Sequence, residues 1–202
     1  DGAVRGFEAL VRWNHPRHGL LPPARFVPLA ELSDVIRPLT LWVLDEALRQ
    51  QRAWRDRGRD VFVSVNLSAR HLMDDGCATR IAESLARSGA EPAALELEIT
   101  ESAIISDPER ARATLERIRA LGVRVAIDDF GTGFSSLSHL KRLPLTALKI
   151  DVSFVRQMLA SAADRAIVES TIHLAHDLGL AVVAEGIEDG TTRDALRAQG
   201  CD

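Results

Sequence analysis

Val61-Phe62-Val63-Ser64-Val65-Asn66 is the stretch on which the fold turns. Valine at every second position predicts a strand. Because strand side chains alternate, the valines share one face while Phe62, Ser64 and Asn66 share the other. One face suits packing against helices, and the other carries polar groups towards the end of the strand. The parity recurs further along the chain. Leu95, Leu97 and Ile99 oppose Glu96 and Glu98; Val123, Val125 and Ile127 oppose Ala126 and Asp128; Leu148 and Ile150 oppose Lys149.

Strand-like runs fall at Val4–Val11, Val61–Leu67, Leu95–Thr100, Arg124–Asp128, Ala147–Asp151 and Ala181–Gly186. Helical patterns are predicted over Leu39–Arg57, Arg70–Ser88, Pro108–Leu121, Ala163–Leu178 and Thr191–Gln199, with shorter ones near Ala24–Leu32 and Ser135–Leu140. Strands alternating with helices imply parallel strands joined by right-handed crossovers, in an open sheet or a closed barrel. An open sheet covered by helices on both sides wants two apolar faces. A polar second face suits a barrel interior, so the expected class is α/β, a (β/α)8 TIM-like barrel.

Composition bounds the function. The 202 residues are 46% hydrophobic and 27% charged, enough for one core and one domain over 1–202. No run approaches the roughly 18 to 20 apolar residues of a spanning helix, so this segment is expected to make no membrane contact. The start, Asp1-Gly2-Ala3, is neither a signal peptide nor an initiator, and an upstream part is expected to be missing. A net charge of −4, from 29 acidic and 25 basic residues, argues against a nucleic-acid polymer as partner. Cys77 and Cys201 lie far apart and in no metal-ligand spacing, which fits a reducing, cytoplasmic location; a missing region is the place for any membrane anchor of the parent.

The polar strand residues Glu8, Asn66, Glu98, Asp128 with Asp129, Lys149 and Glu185 fall at or near the C-terminal ends of their strands, where barrel enzymes put their sites. Five carboxylates converging there repel one another, and Lys149 supplies a single compensating charge. Divalent metal is the natural partner. Oxygen donors with no clustered histidine or cysteine favour Mg²⁺ or Mn²⁺ over zinc. An Asp-Asp pair suits two ions bridged by one carboxylate, an arrangement that activates water for in-line phosphodiester cleavage. His173 and His176, three apart on a predicted helix, lack the context of a metal motif and read as ordinary helix residues. Glu96 shares parity with Glu98 one pleat deeper and is expected to pair with Arg124. Trp13, Trp42 and Trp54 read as core or groove packing, with Trp13 nearest the mouth.

Gly6-Phe7-Glu8-Ala9-Leu10-Val11-Arg12-Trp13 resembles the signature of EAL domains, the cyclic di-GMP phosphodiesterases of bacterial signalling. Further blocks follow in the family's order: Ser64-Val65-Asn66-Leu67-Ser68, Glu98-Ile99-Thr100-Glu101-Ser102, Asp128-Asp129-Phe130-Gly131-Thr132-Gly133, Leu148-Lys149-Ile150-Asp151 and Ala184-Glu185-Gly186-Ile187-Glu188. The resemblance implies that Glu8, Asn66, Glu98 and Asp128 bind one metal, and Asp128, Asp129 and Glu185 a second. It implies a catalytic set of Glu8, Glu101, Lys149 and Glu185, with Lys149 on the nucleophilic water and Glu101 bracing the Asp129–Ser136 loop. Leu10, Arg12 and Asp129 would contact substrate, and Glu188 would support the site from behind. The product would be the linear dinucleotide pGpG, with Mg²⁺ or Mn²⁺ active and Ca²⁺ inhibitory.

Two departures accompany the resemblance. Family members open with a helix and a strand before the Gly-Phe-Glu-Ala-Leu block, and continue beyond Gln199-Gly200-Cys201-Asp202 into a last strand and closing elements. The chain is therefore expected to be a barrel truncated at both ends, with exposed sheet edges. The parent is expected to be a homodimer with an upstream diguanylate cyclase-like or sensory domain. The rival reading is an inactive receptor that binds cyclic di-GMP; the filled set of acidic positions favours the enzyme.

Overall fold

A computed structural model describes residues 2–133 and 137–202. In chain order its elements are β1 (Gly6–Glu8), β2 (Trp13–His15), β3 (Gly19–Leu21), α1 (Val27–Glu31), α2 (Ile36–Arg55), β4 (Phe62–Asn66), α3 (Ala69–Leu72), α4 (Cys77–Ser88) and β5 (Leu95–Thr100). Then come α5 (Glu101–Ile105), α6 (Pro108–Ala120), β6 (Arg124–Phe130), α7 (Leu137–Leu140), β7 (Ala147–Ile150), α8 (Val152–Gln157), α9 (Ala162–Asp177), β8 (Ala181–Ala184) and α10 (Gly190–Ala198). The residues group into two compact units, Asp1–Glu98 with Glu109–Arg124, and Ile99–Pro108 with Val125–Asp202.

In the first unit β1 pairs parallel with β4, Glu8 opposite Ser64, and β4 pairs parallel with β5, Asn66 opposite Glu98. The helices cover the apolar face. In α2 the buried positions Ile36, Thr40, Leu44, Ala47, Leu48 and Gln51 repeat every three or four residues, the spacing that puts one stripe of a helix against a core. The helix packs on β4 and α4, where Val63, Val65 and Ile81 are nearly inaccessible, as are Leu95 and Leu97 of β5. Truncating a side chain such as Leu48 to alanine costs about 2–5 kcal/mol, from lost burial and the cavity left behind. The opposite face is also shielded: Ser64, Glu96 and Glu98 are buried. Arg124 pairs with Glu96 at 3.2 Å and lies over the Phe62 ring, as the parity predicted for this pair.

In the second unit β6, β7 and β8 pair in parallel, Leu148 lying opposite Ile127 on one side and Val182 on the other. Val125, Ile127, Leu148, Ile150, Val155, Val168, Ile172 and Val182 form its core. Three of its helices start where a side chain accepts a backbone N–H of the first turn: Asp151 from Ser153, Ser161 from Asp164 and Asp189 from Thr192.

Several expectations need correction. The single strand expected over Val4–Val11 is only Gly6–Glu8; the Ala9 N–H makes a last bond to the Ser64 carbonyl at 2.9 Å, and the chain then turns into an antiparallel hairpin of β2 and β3. His15 closes that hairpin by accepting the N–H groups of Arg17 and His18 on Nδ1. The helix expected over Arg70–Ser88 is two helices, since Asp74 Oδ1 accepts the Gly76 N–H at 2.9 Å and offers the backbone a turn in place of a helix. Helices α5 and α8 were not anticipated. Trp42, 58% exposed, takes the groove half of its expectation: with Phe7, Leu10, Arg12 and Trp54 it lines a groove of about 300 Å³. No helix among the described residues is long and apolar enough to cross a membrane.

Candidate active site

The expected site residues divide between the two units, and each group has its own chemistry. In the first unit β1 and β4 end side by side, which brings Glu8 and Asn66 together. Asn66 Nδ2 donates to Glu8 Oε1 at 2.8 Å, and both side chains face solvent. Glu98, opposite Asn66 on β5, is only 2% exposed. Leu10 is exposed, and the Arg12 guanidinium donates to the Val11 and Leu10 carbonyls at 3.0 and 3.4 Å. Three oxygen-bearing side chains on neighbouring strand ends make a donor set for a hard cation.

The second unit holds a denser group. Lys149, buried in the middle of β7, places Nζ 2.5 Å from Glu185 Oε1 and 3.2 Å from Asp128 Oδ1. Glu185 reaches it because its N–H continues the ladder to the Ile150 carbonyl at 3.2 Å. Gly186 then takes a left-handed backbone (φ +68), and a Cβ there would come within 2.2 Å of Val152, so no larger residue follows Glu185 without displacing it. Oxygen atoms of Asp128, Asp129 and Glu185 all lie within 4.8 Å of one another.

Asp129 is strained and electrostatically loaded. It alone of the described non-glycine residues has a positive φ, 53°, the left-handed region that aspartate tolerates at a cost of order 1–3 kcal/mol. Burial, the Asp128 charge and a hydrogen bond shared with Asp151 push its carboxyl up to about 6. Asp151 goes the opposite way. Its burial is outweighed by the Ser153 hydroxyl and N–H and by the bond with Asp129, which hold it below the ordinary carboxylate range. Three carboxylates around one lysine, with Asp129 raised towards neutrality, make a surplus of negative charge that a divalent cation would offset. The donor set is all oxygen and fits a hard divalent ion.

Glu101, at the start of α5, is 4% exposed, and its Oε2 accepts the Gly133 N–H at 3.1 Å. A Cβ on Gly133 would stand 2.8 Å from that oxygen, so glycine is required for the contact. Thr132 donates its hydroxyl to the Asp129 carbonyl at 2.8 Å, tying the loop back to the strand end. The rest of the loop expected to depend on Glu101, residues 134–136, lies outside the described residues. Glu188 is 70% exposed by side chain and pairs with Arg156 at 2.5 Å, which ties it to α8. Asp151 and Gly186 are positions whose part in the site went unread. The Asp-Val-Ser order of a helix cap signals Asp151's contact with Ser153, but nothing local signals its contact with Asp129.

A family model of the EAL domain matches residues 1–202. The chain belongs to the EAL domain family. It is similar to the bifunctional diguanylate cyclase/cyclic di-GMP phosphodiesterase MucR of Pseudomonas aeruginosa, with 44% identity over 100% of this chain and 30% of MucR. It is also similar to the cyclic di-GMP phosphodiesterase PdeR of Escherichia coli K12, with 42% identity over 98% of this chain and 30% of PdeR. The chain thus spans about a third of the length of such relatives. Among solved structures, the PaMucR phosphodiesterase in complex with c-di-GMP matches with a TM-score of 0.95 and 44% identity, over 100% of this chain and 82% of that one. The EAL enzyme Bd1971 with cAMP and cyclic di-GMP bound matches with a TM-score of 0.90 and 34% identity, over 96% of this chain and 54% of that one. The α/β, TIM-barrel-like class read from strand parity is the class of these EAL-domain structures.

Proposed function

We propose that this EAL domain hydrolyses one phosphodiester bond of cyclic di-GMP, releasing linear pGpG, with two Mg²⁺ or Mn²⁺ ions. The observation that carries the proposal is the acidic group of Asp128, Asp129 and Glu185 around buried Lys149. Asp128, Asp129 and Glu185 serve one ion, and Glu8, Asn66 and Glu98 serve the other. Such ions, when bound, lower the pKa of a coordinated water and offset charge on the phosphoryl oxygens. Lys149 would then orient the attacking water through Nζ while its charge keeps Asp128 and Glu185 ionised as ligands, and the proton the water gives up ends on the 3′ oxygen that leaves phosphorus. Leu10 packs on the dinucleotide, and Arg12, with a guanidinium shaped for phosphate, anchors it. Glu101 keeps Gly133 and the strained Asp129 in register by holding the loop between them.

The substrate assignment draws support from the names of MucR and PdeR and from the dinucleotide in the PaMucR complex. The test is incubation with cyclic di-GMP and Mn²⁺, with product followed by chromatography. The expected result is pGpG, abolished by chelator and by Glu8→Ala, and strongly suppressed when Ca²⁺ replaces Mn²⁺, because the larger ion activates water poorly. Tight metal-dependent binding without turnover would make the domain a receptor.

A further inference from the structure

We propose that His71 is an acid-sensitive latch that holds α3, and with it the end of β4, in place. Its ring is 1% exposed, and among the described residues neither ring nitrogen has a hydrogen-bond partner. The charged groups facing it are Arg80 from α4, Asp74 from the turn after α3, and Arg37 from α2. Cys77, also on α4, is fully buried, and burial pushes its thiol up to about 12, so it stays neutral.

Asp74 is already committed. It lies 2.6 Å from Arg80 and 3.7 Å from Arg37 and accepts the Gly76 N–H at 2.9 Å; the hydrogen bonds from Arg80 and Gly76 come first among the effects that hold its carboxyl down at about 2. A proton on His71 would therefore add a third cation around one engaged carboxylate, with two buried N–H donors unmet. Such a charge is expelled from a protein interior or neutralised.

The element that gives way is α3. It is four residues long, and its N-terminal side-chain contact is the Ser68 hydroxyl on the His71 N–H at 3.4 Å. Short elements with few closing contacts open locally before the domain unfolds. Only Leu67 separates Ser68 from Asn66, whose amide holds Glu8 at 2.8 Å. Opening α3 thus loosens the strand end that positions Asn66. The consequence for turnover rests on the role proposed above for Asn66; the opening itself does not.

The sign follows from the neutral ring. Burial and the two arginines lower the His71 pKa from its ordinary 6.5 while α3 is closed, and opening restores it. The closed state keeps its full advantage above about 6.5 and loses it as pH falls, by at most about tenfold at one unit below.

The test is amide hydrogen exchange across residues 69–73 in the intact chain, wild type against His71→Gln, at pH 7.5 and 5.5, corrected for intrinsic rates. Equal protection at pH 7.5 and weaker protection of the wild type at pH 5.5, by up to about tenfold, is the expected result. Equal behaviour of the two proteins at both pH values would overturn the latch. If His71→Gln does not fold, ¹⁵N-labelled histidine in the wild type decides. Protonation of the ring in step with exposure of α3 supports the proposal, and a ring that titrates, or stays neutral at pH 5.5, while α3 remains protected overturns it. These readouts are independent of catalysis, so loss of the phosphodiesterase reading would leave the latch standing, and the reverse.

Discussion

The two groups of acidic residues solve the same problem differently. Around Lys149, three carboxylates crowd one buried cation, Asp129 sits in a strained backbone, and its carboxyl retains a proton up to about pH 6. Around Asn66, an amide takes the place of a counter-charge, Glu8 lies open to water, and buried Glu98 stands on the adjoining strand. The first group is held under electrostatic load that a cation would relieve. The second carries two carboxylates and no lysine, one of them open to water and the other buried beside a neutral amide. Oxygen donors alone do not reveal which group needs metal for its own stability; the surplus of charge and the degree of burial do.

The largest expected effect breaks the dense group on purpose. Lys149→Met should lower the stability of the metal-free protein by up to roughly 3–5 kcal/mol, because it strands the half-buried Asp128 and Glu185 without their counter-charge. Adding Mn²⁺ should recover much of that loss, as read by denaturant unfolding with and without the ion. Glu8→Gln, by contrast, should leave metal-free stability within about 0.5 kcal/mol, since its side chain is exposed, while turnover collapses. Comparable destabilisation by both variants would erase the distinction between the groups.

Glu101→Ala sharpens the comparison from the loop side. It should reduce turnover by roughly 10–100-fold while cyclic di-GMP still binds, the effect expected of a residue that orients others. Equilibrium binding measured alongside rate separates this from simple unfolding. The smallest effect is on pH. With the Asp129 carboxyl raised to about 6 in the metal-free protein, cation must displace a proton below that pH. Apparent Mn²⁺ affinity of the dense group should therefore fall as pH drops through about 6, by up to about tenfold per unit. In metal-free protein the same shift means that stability falls as pH rises from about 4 to about 6, the opposite direction to a salt-bridged aspartate.

The contrast also marks how far the sequence could be read. Strand parity located Asn66, Glu98, Asp128 and Lys149, because alternation is a property of the backbone and survives any packing. It predicted the Glu96–Arg124 pair for the same reason. The β2–β3 hairpin escaped, since each strand has three largely exposed residues and leaves no alternating pattern. The break between α3 and α4 was hidden by apolar spacing that runs on through Met73, although Asp74-Asp75-Gly76 is ordinary turn chemistry. The left-handed Asp129 and its bond to Asp151 have no local signature. They arise from how β6 ends beside the cap of α8, which only tertiary structure specifies.

Whether the Lys149 group is a cation site can be measured directly. Mn²⁺ should be titrated calorimetrically into the metal-free chain at pH 7.5, in the wild type and in Asp128→Asn. The expected result is saturable binding in the wild type, with affinity lowered at least tenfold by the substitution. Equal affinity in the two proteins, or no binding in the wild type, would contradict the reading of these carboxylates as a metal centre.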